Sequence, residues 1–203
     1  MSKTIPWKRI KRTIGRTNMK TVGQKLPSFT MVGVTPENTF YNINNDTFKG
    51  VWKVFVWYPK DFTFVCPTEI VAYDKLNKEF EDRGTKLLIG SRDNEYVKVA
   101  WKAADPQLTN LTTTMFADQA NSEWDEDTDE YKGGLAEQLG ILTDTGVALR
   151  ATIIVDQSDV IQHITVNNLN VGRNANETLR ILDALQTGEK TACDRPIGGA
   201  TLG

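Results

Sequence analysis

The sequence predicts an α/β fold with a central mixed sheet flanked by helices, preceded by an N-terminal extension. Two short segments, Val51–Tyr58 (VWKVFVWY) and Lys86–Gly90 (KLLIG), are mostly apolar, which is typical of strands buried on both faces. A helix signal follows each of them along the chain. Near the C-terminus, two β-rich segments flank a short turn and predict a hairpin.

The first predicted helix is delimited by proline and glycine. The first strand ends at Pro59, and a helix is expected to begin near Pro67, because the missing N–H of proline is tolerated in a first turn. One continuous helix is predicted through Asp82, and Gly84 ends it. The face that we expect to be buried carries Ile70, Tyr73, Leu76 and Phe80.

The second helix and the hairpin follow the second buried strand. Asp93 or Asn94 is placed to cap a helix that runs to about Ala104. The hairpin strands are predicted at Ala151–Asp156 (ATIIVD) and Val160–Val166 (VIQHITV).

A final helix is predicted at Asn174–Gln186, and Gly188 ends it. The order of elements is then βαβα followed by ββα, which is the order of a thioredoxin-like domain. We place this domain at residues 21–190 and a C-terminal tail at residues 191–203. The leucines of the final helix that are expected to face inward are Leu179, Leu182 and Leu185.

Composition excludes several classes of protein. No apolar run approaches the roughly 20 residues that a membrane-spanning helix needs. A net charge of −2 argues against a general nucleic-acid-binding surface. One histidine and two cysteines are too few for a four-ligand zinc site or a disulfide scaffold. So few cysteines fit a reducing compartment, and we expect the cytoplasm.

Residues 1–20 form the basic N-terminal extension, which contains lysines and arginines but no acid. We interpret it as a disordered tail. A transit peptide is one alternative, since such peptides are rich in arginine and poor in acid. An arm that binds membranes or nucleic acid is another, because Trp7, Ile10 and Ile14 recur at near-helical spacing. An upstream extension is the third, because Met19 opens a phrase typical of a domain start.

Residues 123–130 (EWDEDTDE) are mostly acidic. Such a run cannot form a core, and we expect it to project as a solvated loop. A calcium site is the alternative, since carboxylates are ligands of calcium. It is disfavoured because no glycine falls at the position that an EF-hand loop requires.

Cys66 lies at the predicted turn from strand to helix, directly before Pro67. A helix N-terminus carries partial positive charge and free N–H groups, and both stabilise a nucleophilic thiolate. Thr63 lies just before the cysteine, so its hydroxyl is placed to turn toward the same sulfur. The alternative is a buried, unreactive cysteine. The position at a helix start favours the reactive one.

Cys66 has no cysteine partner nearby, because Glu69 occupies the place of the second cysteine in a Cys-x-x-Cys motif. Any disulfide within the sequence must reach Cys193, far along the chain. A reactive thiol without a neighbour is suited to oxidation to a sulfenic acid, with which a second thiol then condenses.

The phrase PKDFTFVCPTEI resembles the active-site signature of the peroxiredoxins, specifically the alkyl hydroperoxide reductase C-subunit, or typical two-cysteine, branch. Pro59, Thr63 and Cys66 match its specific P-x-x-x-T-x-x-C pattern. The similarity continues in FEDRGTKLLIGSRDNEYVKVAW, GVALRATIIVD and VGRNANETLRILDALQTGE, and covers about residues 22–190. The resemblance implies a thioredoxin-like fold and a thiol-dependent peroxidase.

By this resemblance, Cys66 is the peroxidatic nucleophile, which attacks the peroxide and becomes a sulfenic acid. Thr63 is expected to bond the thiolate and the peroxide, and Pro59 to shield the pocket. Arg150, in the GVALR phrase, is expected to supply a second positive group near the sulfur. Glu69 matches the residue that orients such an arginine. Without the resemblance, Arg150 would be interpreted as a surface arginine at the start of a strand.

The resemblance also implies that Cys193 is the resolving cysteine, which forms a disulfide with Cys66, usually between the two subunits of a homodimer. A thioredoxin-like or flavoprotein-linked disulfide reductase then restores the thiols, and dimers can assemble into decamers. The residues after this cysteine, Asp194 and Arg195, depart from the Pro or Asn followed by Trp that is common in the family. The alternative is an incidental cysteine in the tail.

The expected substrates are hydrogen peroxide and small organic hydroperoxides, and neither a metal nor an organic cofactor is implied. No nucleic acid or membrane partner is expected. Arg92 stands where the family usually has a small apolar residue, and Lys98 where it usually has a histidine. The Gly-Gly-Leu-Gly segment of members that are sensitive to overoxidation is not seen after Trp101. We therefore expect a peroxidase that is relatively resistant to inactivation by overoxidation.

Two rival functions stay open, the first from the residues and the second implied by the resemblance. The first is a cysteine–histidine hydrolase that uses Cys66 and the sole histidine, His163. It is disfavoured because His163 lies within a predicted strand. The second is a chaperone or binding ring of the same family without peroxidase turnover.

Overall fold

A computed structural model describes residues 19–119, 124–125, 130–131 and 133–203. The strands are β1 (Thr30–Val34), β2 (Phe40–Asn44), β3 (Trp52–Trp57), β4 (Thr85–Ser91), β5 (Thr114–Ala117), β6 (Trp124–Asp125), β7 (Glu130–Tyr131), β8 (Arg150–Val155) and β9 (Ile161–Asn167). The helices are α1 (Cys66–Asp74), α2 (Asn77–Asp82), α3 (Glu95–Ala104), α4 (Leu135–Gln138) and α5 (Ala175–Gln186).

Seven of these strands form one mixed sheet in the order β2-β1-β5-β4-β3-β8-β9. The central strands β3, β4 and β5 run parallel to one another, and the outer strands pair antiparallel. With helices packed against it, this sheet confirms the predicted thioredoxin-like α/β fold. Strands β6 and β7 form a separate antiparallel pair.

Strand β3 is buried on both faces, as its apolar sequence predicts. Val54, Val56 and Tyr58 point into one core cluster, and Phe55 and Trp57 point into the other. Alternate side chains of a strand point to opposite faces, so a strand that is covered on both faces is mostly apolar. Helices α1, α2, α3 and α5 contribute to the first cluster, and α4 contributes to the second.

The prediction of one continuous helix from Pro67 to Asp82 is wrong. The structure has two helices, α1 and α2, with a break at residues 75–76. At the break, Asp74 accepts hydrogen bonds from the backbone N–H groups of Thr112 and Thr113 at 2.8 Å each. We attribute the break to these tertiary bonds, which draw the end of α1 toward the segment before β5.

The other predicted elements are confirmed to within a residue or two. Asn94 caps α3, because its side-chain oxygen accepts the N–H of Val97 at 2.9 Å. Asn174 caps α5 in the same way, and Leu179 and Leu182 are buried there, whereas Leu185 is half-buried. Strands β8 and β9 form the predicted hairpin.

Asp118 binds the start of α4 and lies shortly before the acidic run at residues 123–130. It is fully buried, and its carboxylate accepts the backbone N–H groups of Leu135 and Ala136 at 2.7 Å each and the indole N–H of Trp57 at 2.9 Å. Burial nonetheless raises the pKa of Asp118. Asp118 therefore joins the residues that precede the acidic segment to those that follow it.

Two predictions fall wholly or largely outside the described residues. The basic extension lies there except for Met19 and Lys20, and so does most of the acidic run. Of that run, the structure describes the backbone of the β6 and β7 residues. Among the described residues, no group of three or more histidine, cysteine or acidic side chains is arranged to hold a metal. No described helix is both long and apolar enough to cross a bilayer.

Candidate active site

Cys66 is the first residue of α1 and is only 1% exposed. Val65 precedes it at the N-cap without a side-chain capping bond, and Pro67 fills the first turn as predicted. The positive end of the helix dipole therefore lies at the thiol with no capping side chain between them. This local arrangement follows from the sequence, because proline is favoured at the start of a helix.

Arg150 lies beside the thiol, with its Nη1 atom 3.5 Å from Sγ of Cys66. It is the first residue of β8, and β8 pairs with β3, the strand that leads into the cysteine loop. Its side chain is almost fully buried, and its Nε donates to the carbonyl of Leu169 at 2.7 Å. The reading of Arg150 as a surface residue is therefore wrong, and the position implied by the resemblance is observed.

Glu69 holds Arg150 in place from one turn further along α1. Its Oε2 accepts Nη1 of Arg150 at 2.5 Å, in an ion pair that is buried on both sides. Its other oxygen, Oε1, accepts both the backbone N–H and the Nε of Arg173, at 2.9 and 2.8 Å. Glu69 thus links two arginines and fixes the guanidinium that contacts the sulfur.

Arg173 is a residue of this site that the sequence prediction missed. It precedes α5, and its Nη1 also donates to the carbonyl of Ala151 at 2.7 Å and to Oγ1 of Thr152 at 3.2 Å. Its guanidinium lies 5.7 Å from the centre of the Tyr73 ring. The only sequence signal was its place in the VGRN phrase within the similar region.

The charges of this buried cluster do not cancel. Two guanidinium groups, those of Arg150 and Arg173, face the single carboxylate of Glu69. The excess positive charge lies beside Sγ of Cys66, where water is excluded and interactions between charges are strong. This positive charge is placed to stabilise negative charge that develops at the sulfur or on an oxygen bound next to it during a reaction.

Thr63 and Pro59 occupy the loop that connects β3 to α1. The hydroxyl of Thr63 donates to the carbonyl of Lys60 at 3.0 Å, so the expected donation to the sulfur is not observed. Ser and Thr hydroxyls commonly form such local bonds with nearby backbone groups. Pro59 is half-buried directly after Tyr58. Its predicted role in shielding the pocket stays a prediction.

Cys193 lies in contrasting surroundings, exposed in the C-terminal tail, and both cysteines are free thiols. It lines an open groove of about 550 Å³ between α5 and the tail. Arg195, which departs from the family pattern, is buried and binds Asp183 of α5 at 2.7 Å. Its Nε also donates to the carbonyl of Gly199 at 2.9 Å. This departure thus ties the tail to α5 just after the cysteine.

His163 does not join this cluster. It lies on β9, where its Nε2 is 2.5 Å from Oγ1 of Thr165 on the same strand. Burial lowers its pKa below the usual value of 6.5. The group that contacts the sulfur is the guanidinium of Arg150, which cannot act as a general base. The geometry gives the hydrolase reading no support.

A buried thiol at a helix N-terminus, held beside excess positive charge on a thioredoxin-like sheet, defines a thiol-based redox enzyme. Comparison with known proteins shows to which family within this class the chain belongs. The AhpC/TSA family profile matches residues 22–164. The alkyl hydroperoxide reductase C of Mycolicibacterium smegmatis is 38% identical over 193 residues, which cover 90% of this chain and 93% of that protein. Peroxiredoxin TSA1 of Saccharomyces cerevisiae is 35% identical over 189 residues, covering 89% and 90%.

Solved structures that are similar to this chain come from the same family as these relatives. The reduced 2-Cys peroxiredoxin of Plasmodium vivax superposes with a TM-score of 0.76 at 33% identity, over 89% of this chain and 91% of that one. The AhpC of Mycobacterium tuberculosis gives a TM-score of 0.74 at 36% identity, over 86% and 98%. The chain belongs to the AhpC/TSA family. It is a peroxiredoxin-type, thiol-dependent peroxidase, so the predicted family, enzyme class and function are confirmed.

Proposed function

We propose that Cys66 is the peroxidatic nucleophile of this peroxidase and that Cys193 is its resolving cysteine. The observation that carries the first assignment is the contact of 3.5 Å between Nη1 of Arg150 and Sγ of Cys66 in a buried site with excess positive charge. The second assignment is supported by elimination, since Cys193 is the only other cysteine of the sequence, and by its exposure.

In the first step, the Cys66 thiolate attacks the terminal oxygen of a hydroperoxide. A sulfur–oxygen bond forms, the oxygen–oxygen bond breaks, and an alkoxide or hydroxide leaves. The leaving oxygen takes up a proton to become an alcohol or water, while the thiolate is oxidised to a sulfenic acid. Arg150 and the N-terminus of α1 stabilise the negative charge that moves from sulfur to the leaving oxygen.

In the second step, the Cys193 thiolate attacks the sulfur of the Cys66 sulfenic acid. A disulfide bond forms, the sulfur–oxygen bond breaks, and the hydroxide that leaves takes up a proton to become water, so the step needs no further oxidant. A dithiol reductant then returns both cysteines to thiols and is itself oxidised to a disulfide. We propose a thioredoxin-like or flavoprotein-linked reductase for this role. The chemistry on this chain uses only the thiols of Cys66 and Cys193, so we propose that the chain itself needs neither a metal nor an organic cofactor.

The proposed substrates are hydrogen peroxide and small organic hydroperoxides, which fit a mechanism that needs a terminal O–OH group. We also propose that the resolving thiol comes from the second subunit of a homodimer, and that dimers can assemble further into decamers. The proposed location is the cytoplasm. Its support is the presence of two free thiols and the need of the cycle for a reducing partner.

Non-reducing electrophoresis after one equivalent of hydrogen peroxide tests the two assignments together. Wild type is expected to give a covalent dimer, whereas Cys66→Ser and Cys193→Ser are not. Cys193→Ser should still consume the peroxide once and accumulate a sulfenic acid at Cys66. A Cys66→Ser variant that reduces peroxide at the wild-type rate would overturn the first assignment. A Cys193→Ser variant that forms the same dimer would overturn the second.

A further inference from the structure

A second buried ion pair lies outside the cluster around the thiol. Lys98, on α3, has a side chain that is 0% exposed, and that of its partner Asp61 is 1% exposed. The Nζ atom lies 3.4 Å from both carboxylate oxygens of Asp61, 2.8 Å from Oγ of Ser91 and 3.4 Å from the hydroxyl of Tyr58. Removing two charges from water is costly, so each depends on the other.

Asp61 belongs to the connecting segment, residues 59–65, which leads from β3 to Cys66. Its carboxylate accepts the hydroxyl of Ser91 at 2.8 Å, and its backbone N–H donates to Asp93 at 2.8 Å. Ser91 and Asp93 lie at the end of β4 and just beyond it, within the body of the domain. The side chain and the backbone of Asp61 thus both tie the segment to the rigid sheet.

The rest of the connecting segment is weakly held. Phe64 is 97% exposed, and Phe62 is 56% exposed with its ring 5.8 Å from that of Trp101. Phe62 also has a φ of 55°, a backbone conformation that is strained for a non-glycine residue. The hydroxyl of Thr63 bonds within the segment, to Lys60. Within the part of the chain that the structure describes, the hydrogen bonds that join the segment to the end of β4 are those of Asp61.

The two chemical steps place opposite demands on this segment. Reaction with peroxide uses Cys66 where it is now, buried beside Arg150. Formation of a disulfide needs the two sulfur atoms at about 2.0 Å and the two Cα atoms within about 7 Å. A thiol that is 1% exposed cannot meet an exposed tail cysteine in that geometry unless the start of α1 opens.

We propose that Lys98 is a positioning residue that keeps the connecting segment closed by neutralising Asp61, and so sets the balance between the two steps. The proposal rests on the roles assigned above to Cys66 and Cys193. Without the ammonium group, the Asp61 carboxylate would keep its hydrogen bond from Ser91 but would be buried without a counter-charge. Its shortest route to water is release of the segment, which also exposes Cys66.

The surroundings of Lys98 agree with this role. Burial lowers its pKa, and the nearby carboxylates of Asp61, Asp93 and Asp118 oppose that effect. Burial and the Asp61 charge together raise the pKa of Tyr58 well above 10, so its hydroxyl stays neutral. Lys98 is thus the positive charge that is surrounded by Tyr58, by Asp61 of the connecting segment and by the carboxylates that follow β4 and β5.

The test compares Lys98→Met with Lys102→Met, since methionine keeps much of the length of the lysine but not its charge. Lys102 is a matched control, because it lies on the same helix and is also buried. Its Nζ donates to the carbonyls of Thr35 and Pro36, at 3.1 and 2.8 Å, and not to the connecting segment. Circular dichroism and thermal unfolding establish that each variant is folded.

Two rate constants are measured after rapid mixing with hydrogen peroxide. Formation of the sulfenic acid is followed in a Cys193→Ser background by trapping with a cyclic dione. Disulfide formation is followed in the background with both cysteines. Lys98→Met is expected to slow the first step about tenfold and to speed the second about tenfold, whereas Lys102→Met changes neither. Equal slowing of both steps, or behaviour like that of Lys102→Met, would overturn the proposal.

A charge-free double variant guards against simple damage to the core. Asp61→Asn combined with Lys98→Met leaves no buried charge in the pair, so the segment should close again and both rate constants should return toward wild type. If Lys98 mattered only for its bulk, the double variant would behave no better than Lys98→Met. That result would contradict the proposal.

Hydrogen exchange of residues 59–66, measured by mass spectrometry, reads the segment without any redox chemistry. Lys98→Met should exchange faster there than wild type and Lys102→Met, and unchanged exchange would overturn the proposal. This readout also distinguishes a failure of the proposed function from a failure of the role proposed for Lys98. If wild type formed no sulfenic acid at Cys66, the proposed function would fail while the role of Lys98 in holding the segment would still be decided by exchange.

Discussion

The surroundings of the two cysteines are built in opposite ways. Cys66 is buried at the start of a helix, and Arg150, fixed by Glu69, lies against its sulfur. Cys193 is exposed in a tail that is tied to α5 by Arg195. A thiol that reacts with a small peroxide can be enclosed, because the substrate can enter. A thiol that is proposed to form a disulfide with a second cysteine has to be reachable, and here the residues next to it are held while the thiol stays exposed.

This contrast predicts that changes around Cys66 affect the reaction with peroxide, whereas changes around Cys193 affect disulfide formation.

The largest effect is expected from Arg150→Met. Glu69 stays paired with Arg173, so the loss falls mainly on the thiol. The rate constant for sulfenic acid formation should fall about 100-fold, as expected when one charge-stabilising donor is removed. Arg83→Met, which removes a partly exposed arginine at the end of α2, is the control and should leave that rate constant unchanged. An Arg150→Met variant with the wild-type rate would contradict the assigned role.

A smaller kinetic effect and a larger loss of stability are expected from Glu69→Gln. Two buried guanidinium groups would lose their shared counter-charge, which should lower the free energy of unfolding by about 3 kcal/mol. Sulfenic acid formation should slow about tenfold, because Arg150 is no longer held at the sulfur. Urea unfolding and rapid-mixing kinetics measure the two effects. Glu79→Gln removes an exposed ion pair and should cost at most about 0.5 kcal/mol.

The tail can be tested separately with Arg195→Met. Its ion pair with Asp183 orders the residues around Cys193, so loss of the charge should slow disulfide formation by about threefold through disorder of the tail. The sulfenic acid step at Cys66 should be unchanged. Rapid-quench electrophoresis gives the first rate constant, and dione trapping gives the second. A parallel fall in both would show that the two regions are not independent.

The smallest effect concerns His163, which lies in neither region. Because burial lowers its pKa, the folded state binds a proton less readily than the unfolded state. The unfolding free energy of wild type should therefore fall as the pH drops from about 7 to about 5, more steeply than that of His163→Gln. Both proteins should reduce peroxide at the same rate. Lost activity in a folded His163→Gln variant would revive the hydrolase reading.

The sequence was sufficient for the features that local signals determine. The place of Cys66 at a helix start follows from Pro67 and the preceding strand. The caps at Asn94 and Asn174 follow from the preference of asparagine for such positions. Arg150 was identified only through the family resemblance, because nothing near it in sequence says which strand neighbours β8.

The features that were missed depend on tertiary contacts. Arg173 reaches Glu69 from the loop before α5, a contact that no local pattern encodes. The break between α1 and α2 coincides with bonds from Asp74 to the distant residues Thr112 and Thr113. Strand β2 is largely exposed and β5 has only four residues, so neither has the apolar run by which β3 and β4 were predicted. Strand β1 (TMVGV) was missed although it has as many apolar residues as the predicted KLLIG segment.

The central claim is that Cys66, and not Cys193, is the thiol that peroxide oxidises. The most direct measurement gives wild type half an equivalent of hydrogen peroxide in the presence of a cyclic dione and maps the earliest adducts by mass spectrometry. The adduct is expected on Cys66, with a Cys66–Cys193 disulfide growing in competition with it. An adduct that appears first on Cys193, with Cys66 still reduced, would contradict the assignment of the site.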